Sequence, residues 1–156
     1  MSTIEVVRIR SPEQLDRALA IRRVVFVDEQ GVSEALEFDD RDSRAEHLLA
    51  LLDGEPVGTL RLRLLEGGRI GKIERVAVLA PARGRRIGQA LVKAALARAR
   101  ALEAREVRLH AQTAARAFYT SFGFEAHDRE FDEDGIRHVT MRLDLAPAGQ
   151  READAP

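Results

Sequence analysis

The sequence predicts an α+β fold built on a mixed, mostly antiparallel sheet of about seven strands. The first observation is a set of seven short runs rich in β-branched and apolar residues, at positions 4–10, 47–52, 57–64, 69–79, 105–111, 124–131 and 136–145. The second is that glycine-containing turns join neighbouring runs, which is typical of antiparallel strands. The third is an Ala- and Leu-rich stretch without Gly or Pro at 89–102, which predicts a helix after the fourth strand and a basic loop.

The composition is that of one globular domain. The chain has 156 residues, 45% of them apolar and 33% charged, with a formal net charge of −1. This balance gives no electrostatic reason to expect nucleic acid or a membrane as a partner. Cysteine is absent, which excludes disulfides and a cysteine nucleophile. We expect a cytoplasmic protein with a single domain over residues 1–145 and a disordered polar tail over 146–156.

The first helix has a clear start and a clear stop. Ser11 suits the N-cap, Pro12 suits the first turn, and Gln14 stands where a capping box needs it. Gly31 is expected to end the helical stretch, because glycine readily takes the left-handed conformation found after helices. We therefore expect helical structure between these residues, directly after the first strand.

An acidic segment at residues 33–44 follows the first helix. Its carboxylates lack the regular spacing and the glycine of a calcium-binding loop, so no metal site is predicted. The segment is predicted to be a solvated loop with one helical turn, or a loop that lines a cleft and attracts cations.

The third strand has an alternating pattern. Leu60, Leu62 and Leu64 are expected to face the core, and Arg61 and Arg63 to face the solvent. This is the pattern of a half-buried antiparallel strand.

A short aromatic helix is predicted at 113–122, where Gly123 ends it. It contains Tyr119, the only tyrosine of the chain. From the helix alone, Tyr119 is best interpreted as a core residue whose hydroxyl finds a hydrogen-bond partner, as buried tyrosines usually do. Two further elements are predicted. The proline-containing segment at 80–82 should end the fourth strand, and a final hairpin should turn around residues 132–135.

The basic loop at 83–88 joins the fourth strand to the long helix. A helix start offers unpaired backbone N–H groups and the positive end of a dipole, and glycines allow a ligand to approach closely. Three arginines add donors suited to phosphate. The loop is therefore either a phosphate cradle or an ordinary strand–helix connection with a solvated basic face.

Two separated motifs together resemble the GNAT superfamily of acetyl-CoA-dependent N-acetyltransferases. They are RGRRIGQAL at 83–91 and AxxFYxxxGF at 115–124, each after a strand, and the resemblance covers about residues 4–145. RRxVFVxEQ at 22–30 and EDGIxH at 133–138 are similar to the ElaA-like branch. The resemblance implies about four flanking helices and a twisted sheet that splays between strands 4 and 5.

Two positions depart from the family pattern. Arg86 replaces the first glycine of the loop, so the close approach of phosphate is expected to depend on a negative φ at Arg86. Gln112 replaces the asparagine that is common after the fifth strand, which keeps the amide on a longer stem.

The resemblance implies direct acetyl transfer from acetyl-CoA to an amine of a small molecule or peptide within a ternary complex, without metal. The cofactor would pair its pantetheine with the fourth strand and seat its pyrophosphate on the loop. The residues implied for the cofactor are Val76, Ala77, Val78, Arg83, Gly84, Arg85, Arg86, Ile87, Gly88, Gln89, Gln112, Ala115 and Phe118.

The resemblance also implies catalytic and acceptor-binding residues. Tyr119 would protonate the departing CoA thiolate. Glu74 is the first choice for the base that takes a proton from the amine, directly or through water, and His110 and His47 are alternatives. The residues expected to line the acceptor pocket are Phe26, Glu29, His110 and His138. Acidic residues at 33–42 and 132–134 would suit a cationic acceptor if they rim that pocket.

A second hypothesis keeps the cofactor site but not the reaction. Arg86 in the loop and the lack of an obvious base would also suit a CoA-binding sensor or regulatory module without turnover. Members of the superfamily often pair through edge strands, so the resemblance allows a homodimer.

Overall fold

The structure is a computed structural model that describes residues 2–145. Their strands are β1 (Ile4–Arg8), β2 (Glu46–Leu52), β3 (Glu55–Leu65), β4 (Ile70–Val78), β5 (Glu106–Gln112), β6 (Glu125–Glu133) and β7 (Ile136–Asp144). The α-helices in this part of the chain are α1 (Pro12–Arg22), α2 (Glu34–Glu37), α3 (Ile87–Ala101) and α4 (Arg116–Thr120). The strand order is β1-β2-β3-β4-β5-β7-β6. The predicted fold class is confirmed. The tail prediction for 146–156 lies outside the described residues.

The described chain separates into two compact units. The first contains residues 2–63 and 73–97, and the second contains residues 64–72 and 98–145. The boundary falls inside β3, inside β4 and again inside α3, so both units include part of each of these elements. The single domain expected over residues 1–145 stays a prediction.

In the first unit, the helix start follows the sequence signals. The hydroxyl of Ser11 accepts a hydrogen bond from the backbone N–H of Gln14 at 3.2 Å, and Pro12 opens α1. The Gln14 side chain reaches back to the N–H of Arg10 at 2.7 Å. The helix continues as a π-helical segment over Arg23–Glu29 and ends before Gly31, whose φ is +75°. The predicted start and stop are therefore confirmed.

The antiparallel strands β1, β2 and β3 build the core of the first unit. Asp53 and Gly54 form a tight turn between β2 and β3, with φ values of +51° and +84°. Leu60 and Leu62 are buried as predicted, but Leu64 is 43% exposed and Arg61 is fully buried. The prediction that Arg61 faces solvent is wrong, because its buried guanidinium pairs with carboxylates of other segments.

The acidic segment supplies those partners. It forms α2 and a 3₁₀ turn over Asp40–Arg44 rather than a solvated loop with one turn. Arg61 donates to Asp39 at 2.7 Å and to Asp42 at 2.9 Å. Burial alone would raise the pKa values of both aspartates, but their bonds to arginine outweigh it and lower them. These carboxylates neutralise the protein's own arginines.

Arg22 completes this ion-pair network from α1. Its side chain is 1% exposed, and it donates to Glu37 at 2.6 Å and to Asp42 at 2.7 Å. Its second terminal nitrogen also donates to the backbone carbonyl of Glu37 at 2.8 Å. Because buried charges are tolerated only when paired, the network fixes α1 to α2 and to the following turn.

In the second unit, β5, β7 and β6 pair antiparallel. Arg69 directly precedes β4, and its carbonyl accepts hydrogen bonds from the N–H groups of Arg105 at 2.7 Å and Glu106 at 3.2 Å, at the start of β5. Asp134 and Gly135 turn the β6–β7 hairpin with φ values of +53° and +78°, a shorter turn than the expected 132–135.

Candidate active site

The part of β4 that belongs to the first unit contains a backbone irregularity. Arg75 has a φ of +57°, which is rare for a residue other than glycine and is the kind of distortion found at bulges. Its guanidinium lies 3.0 Å from a carboxylate oxygen of Glu37 and donates to the carbonyl of Leu36 at 3.0 Å. These contacts hold the distortion directly before Val76, Ala77 and Val78, of which Ala77 is buried and the two valines are half-buried.

Beyond β4, a basic loop is exposed between two buried anchors. A 3₁₀ turn over Ala80–Ala82 buries Ala82, and α3 begins with the buried Ile87. Residues 83–86 between them are exposed. Gly84 has a φ of +81° and Arg86 a φ of +65°. The condition set for the close approach of phosphate, a negative φ at Arg86, is not met: Arg86 takes the left-handed conformation that a glycine would take.

Arg83 ties this loop to its surroundings. Its Nε donates to the carbonyl of Val78 at 2.9 Å, and a terminal nitrogen contacts both carboxylate oxygens of Glu29 at 2.9 and 3.2 Å. The structure therefore brings Glu29 to the basic loop. Phe26 lies within the π-helical segment and is 9% exposed.

The start of α3 offers backbone donors. The bond from the N–H of Ala90 to the carbonyl of Arg86, at 3.1 Å, is the bond that closes the first helical turn. The N–H groups of Ile87, Gly88 and Gln89 come before it, so they have no acceptor within the helix. Together with the helix dipole and the exposed arginines, they form a positively polarised end.

Gly58 of β3, which no sequence motif indicated, controls how closely α3 packs. A methyl group at this position would lie 3.0 Å from Cγ2 of Ile87, 3.1 Å from Cδ1 of Leu91 and 3.2 Å from the carbonyl oxygen of Ala77. Only glycine permits this spacing without displacement. Gly58 therefore sets the distance between the sheet and the first turn of α3.

Glu74 is engaged by two arginines. Its side chain is 9% exposed, and one carboxylate oxygen accepts from Arg61 at 3.1 Å and from Arg63 at 2.5 Å. The other oxygen accepts from Arg63 at 3.2 Å. Both oxygens are therefore held by guanidinium groups.

Tyr119 lies in α4 of the second unit and is 7% exposed. Its ring meets those of Phe118 and Phe124 edge-on, with centroids 5.0 and 6.0 Å apart. Burial raises the pKa of the phenol to about 12. Gln112 ends β5, and Ala115 closes the 3₁₀ turn that leads into α4.

The second unit also contains a cluster of His110, Glu133 and His138. His110 Nδ1 lies 3.1 Å from one oxygen of Glu133, and His138 Nε2 lies 3.7 Å from the other. His138 Nδ1 lies 2.7 Å from the carbonyl of Ile136, so it donates there. The Phe131 ring contacts His110 edge-on and stacks on His138, with centroids 5.0 and 6.0 Å apart.

His47, the other alternative base, is placed differently. It is 5% exposed, and its Nε2 donates to the carbonyl of Asp42 at 2.9 Å. Burial lowers its pKa. These contacts place His47 in the packing around the ion-pair network of the first unit.

The described part of the chain offers neither a metal-binding cluster nor a membrane-spanning helix. Within residues 2–145, no group of three or more His, Asp or Glu side chains is arranged to hold a metal ion. In that same part of the chain, every helix is too short or too polar to cross a bilayer.

Comparison with known proteins gives consistent matches. A profile of the acetyltransferase (GNAT) domain matches residues 11–145. The uncharacterized N-acetyltransferase YjcF of Bacillus subtilis is 36% identical over 143 residues, which cover 90% of this chain and 100% of YjcF. The crystal structure of Escherichia coli ElaA matches with a TM-score of 0.79 at 30% identity, covering 90% of this chain and 99% of ElaA. An acyl-CoA N-acyltransferase from Pseudomonas aeruginosa matches with a TM-score of 0.79 at 31% identity, covering 90% and 99%.

Proposed function

The chain belongs to the GNAT acetyltransferase family as an ElaA-like member, and from that premise we propose that it transfers an acetyl group from acetyl-CoA to a primary amine of a small molecule or peptide. The reaction is direct attack in a ternary complex, in the cytoplasm and without a metal. The acyl-CoA N-acyltransferase and the N-acetyltransferase among its relatives support this choice of donor and acceptor.

The observation that carries the proposal is the basic loop at the start of α3. Its exposed residues and the free amides of the first helical turn suit a pyrophosphate, which needs several donors and positive potential. The proposed contacts are those of Arg83, Gly84, Arg85, Arg86, Ile87, Gly88 and Gln89. Because Arg83 is already bonded to Val78 and Glu29, we assign it mainly to holding the loop.

The end of β4 is proposed to bind the pantetheine. Val76, Ala77 and Val78 would offer backbone groups to it in the manner of an added strand, and their amides would also polarise the thioester carbonyl. The irregularity at Arg75 supports this role, since a bulge releases backbone groups from regular pairing. Gln112, Ala115 and Phe118 are proposed to contact the remainder of the cofactor.

Tyr119 is proposed as the acid that assists departure of the thiolate. With a pKa of about 12, the phenol is protonated throughout the neutral range. A thiol of ordinary pKa near ~8.5 is the stronger acid, so complete transfer from the phenol to the thiolate would be uphill. We therefore propose that Tyr119 first stabilises the developing thiolate through its O–H group, and that the proton follows as the thiol leaves.

Glu74 is proposed to act as a base only through a water molecule. Both of its oxygens already accept bonds from Arg61 and Arg63, so a direct acceptor for the amine proton has to be another residue. The residues proposed to contact the acceptor stay Phe26 and Glu29 of the first unit and His110 and His138 of the second unit. Asp39 and Asp42 neutralise arginines of the protein and Glu133 is bonded to His110, so the proposed preference for a cationic acceptor rests on the remaining acidic residues of 33–42 and 132–134.

The alternative function is a CoA-binding sensor without turnover. One of its two motives was Arg86, and the glycine-like conformation of Arg86 removes that motive. The other motive, the lack of an obvious base, is supported by the engagement of both Glu74 oxygens by Arg61 and Arg63. The alternative therefore keeps a specific observation and is tested beside the main proposal.

A calorimetric titration with acetyl-CoA, followed by thiol release with a panel of amines, tests both functions. We expect binding below about millimolar concentration and turnover of at least one amine. Tyr119→Phe should bind acetyl-CoA like the parent but lower kcat by about tenfold or more. Absence of binding would overturn both functions, whereas binding without turnover of any amine would favour the sensor. Light scattering of the same samples tests the proposed homodimer.

A further inference from the structure

The cluster of His110, Glu133 and His138 has the chemistry of an acid–base device. A single carboxylate, 38% exposed, faces two imidazoles, and an aromatic ring supports both of them. A structural histidine needs one hydrogen bond to satisfy it. In this cluster the carboxylate of Glu133 orients the imidazole of His110 through Nδ1 and leaves Nε2 of His110 available.

The strand register places this cluster on the face proposed for the cofactor. Along β5, Leu109 and Ala111 are buried, whereas His110 and Gln112 are half-buried and point to the opposite face. His138 of β7 is directly paired with Gln112. His110 and Gln112, the latter proposed to bind the cofactor, therefore share one face of the second unit.

We propose that His110 is the catalytic base that takes the proton from the attacking amine, and that Glu133 is the positioning residue that holds it. This inference rests on the proposed acetyl transfer. With its Nδ1–H donated to Glu133, His110 keeps the lone pair of Nε2 for the amine. Glu133 then stabilises the imidazolium that forms.

The step balances without any further reactant. The amine nitrogen bonds to the acetyl carbon, and its N–H proton passes to Nε2 of His110. The C–S bond breaks with its electron pair on sulfur, which takes the phenolic proton of Tyr119 and leaves as the CoA thiol. Tyr119 regains its proton from solvent. The imidazolium releases its proton to solvent, so that the products are the amide and the free thiol.

The other charged groups around the cluster are few. Lys72 of β4 and the two histidines act on Glu133, and together with the hydrogen bond from His110 they lower its pKa despite partial burial. On the β5 side, Arg108 pairs with Glu106. Glu133 is thus ionised at neutral pH, which is the state that the proposed positioning role requires.

The test compares His110→Gln with His127→Gln, a histidine of the same unit outside the cluster. The readout is kcat/KM for the best amine as a function of pH, with calorimetry for acetyl-CoA binding. We expect His110→Gln to lower kcat/KM by about 100-fold and to remove the acidic limb of the profile. Glu133→Gln should lower kcat/KM by about tenfold, because the imidazolium that forms loses its carboxylate, and Glu133→Asp should restore part of that loss. His127→Gln should leave the profile unchanged.

Three outcomes separate this inference from the proposed function. If the parent turns over an amine and His110→Gln retains both its rate and its acidic limb, only the assignment of His110 is overturned. If the parent binds acetyl-CoA but acetylates no amine, the transfer itself is overturned and the base with it. If ring-nitrogen NMR shows the same His110 tautomer in the parent and in Glu133→Ala, which has no side-chain acceptor for Nδ1–H, the positioning role of Glu133 is overturned whatever the activity.

Discussion

Gly58→Ala is expected to disturb the first turn of α3 and, through it, acetyl-CoA binding. The added methyl group would lie 3.0 Å from Cγ2 of Ile87 and 3.2 Å from the carbonyl oxygen of Ala77. Neither group can rotate away, because the first belongs to a β-branched side chain that is 1% exposed and the second is backbone. Relief therefore requires the helix to move by a few tenths of an ångström.

The magnitude follows from the competition of two effects. Overpacking of a dense core costs about 1–3 kcal/mol. Replacing glycine by alanine in a strand returns up to ~1 kcal/mol by restricting the unfolded chain. We therefore expect a net loss of about 1–2 kcal/mol in the free energy of unfolding. If the amides of the first turn bind pyrophosphate, the same displacement should weaken acetyl-CoA binding by about three- to tenfold.

A double-mutant cycle identifies the contact. Ile87→Ala alone should cost about 2–5 kcal/mol, but it also removes the clashing Cγ2. Combined with Gly58→Ala, it should therefore cost less than the sum of the single changes by about 1 kcal/mol. Leu96→Ala, a buried residue further along the same helix, serves as the control and should add to Gly58→Ala.

Urea denaturation measures the stability terms, and calorimetry measures the affinity. The explanation based on close packing is refuted if Gly58→Ala unfolds with the parent's free energy. It is also refuted if Ile87→Ala and Leu96→Ala combine with it in the same way. A normal affinity with reduced stability would separate the packing of α3 from cofactor binding.

Three further predictions concern the ion pairs, the tyrosine and the loop. Arg61→Met should cost about 3–5 kcal/mol in urea denaturation because it removes the buried cation that three partly buried carboxylates share, and Arg63→Met, at a side chain that is 17% exposed, should cost less than half as much; equal losses would contradict the role of burial. Tyr119 has a pKa of about 12 against an ordinary 10.0, so between these two pH values only the unfolded state loses the phenolic proton. Stability should then fall by about 2–3 kcal/mol as the pH rises through this window, and Tyr119→Phe should lack that decline. Arg86→Gly should gain up to ~1 kcal/mol by relieving the left-handed conformation and should weaken acetyl-CoA binding a few-fold; a lower thermal midpoint would speak against strain at this residue.

Local signals explain most of what the sequence predicted. Ser11 and Pro12 begin a helix and Gly31 and Gly123 end helical segments, because each acts on backbone groups within one turn. The strands followed from alternation and from tight turns such as Asp53–Gly54, which also depend on neighbours in the chain. The fold class could therefore be predicted without knowledge of distant contacts.

The errors lie where distant partners decide the outcome. Arg61 looks solvent-facing in its own strand, but Asp39 and Asp42 come from a segment about 20 residues away, as their hydrogen bonds show. Gly58 has no local role, and its importance depends on Ile87 across the sheet–helix contact. The roles of the site residues stay proposals, because a side chain's chemistry depends on a bound molecule that the sequence does not specify.

The interrupted path of the chain through the first unit has a consequence for protein synthesis. Arg22, Glu37 and Arg61 would emerge from the ribosome before Glu74 and Arg75, which supply later members of the same ion-pair network. A nascent chain that stops before β4 therefore carries charges it cannot yet match, and it lacks the helix that covers Gly58. Stable folding of this half should wait until α3 has been translated, so a ribosome-stalled chain ending near residue 69 should remain sensitive to protease.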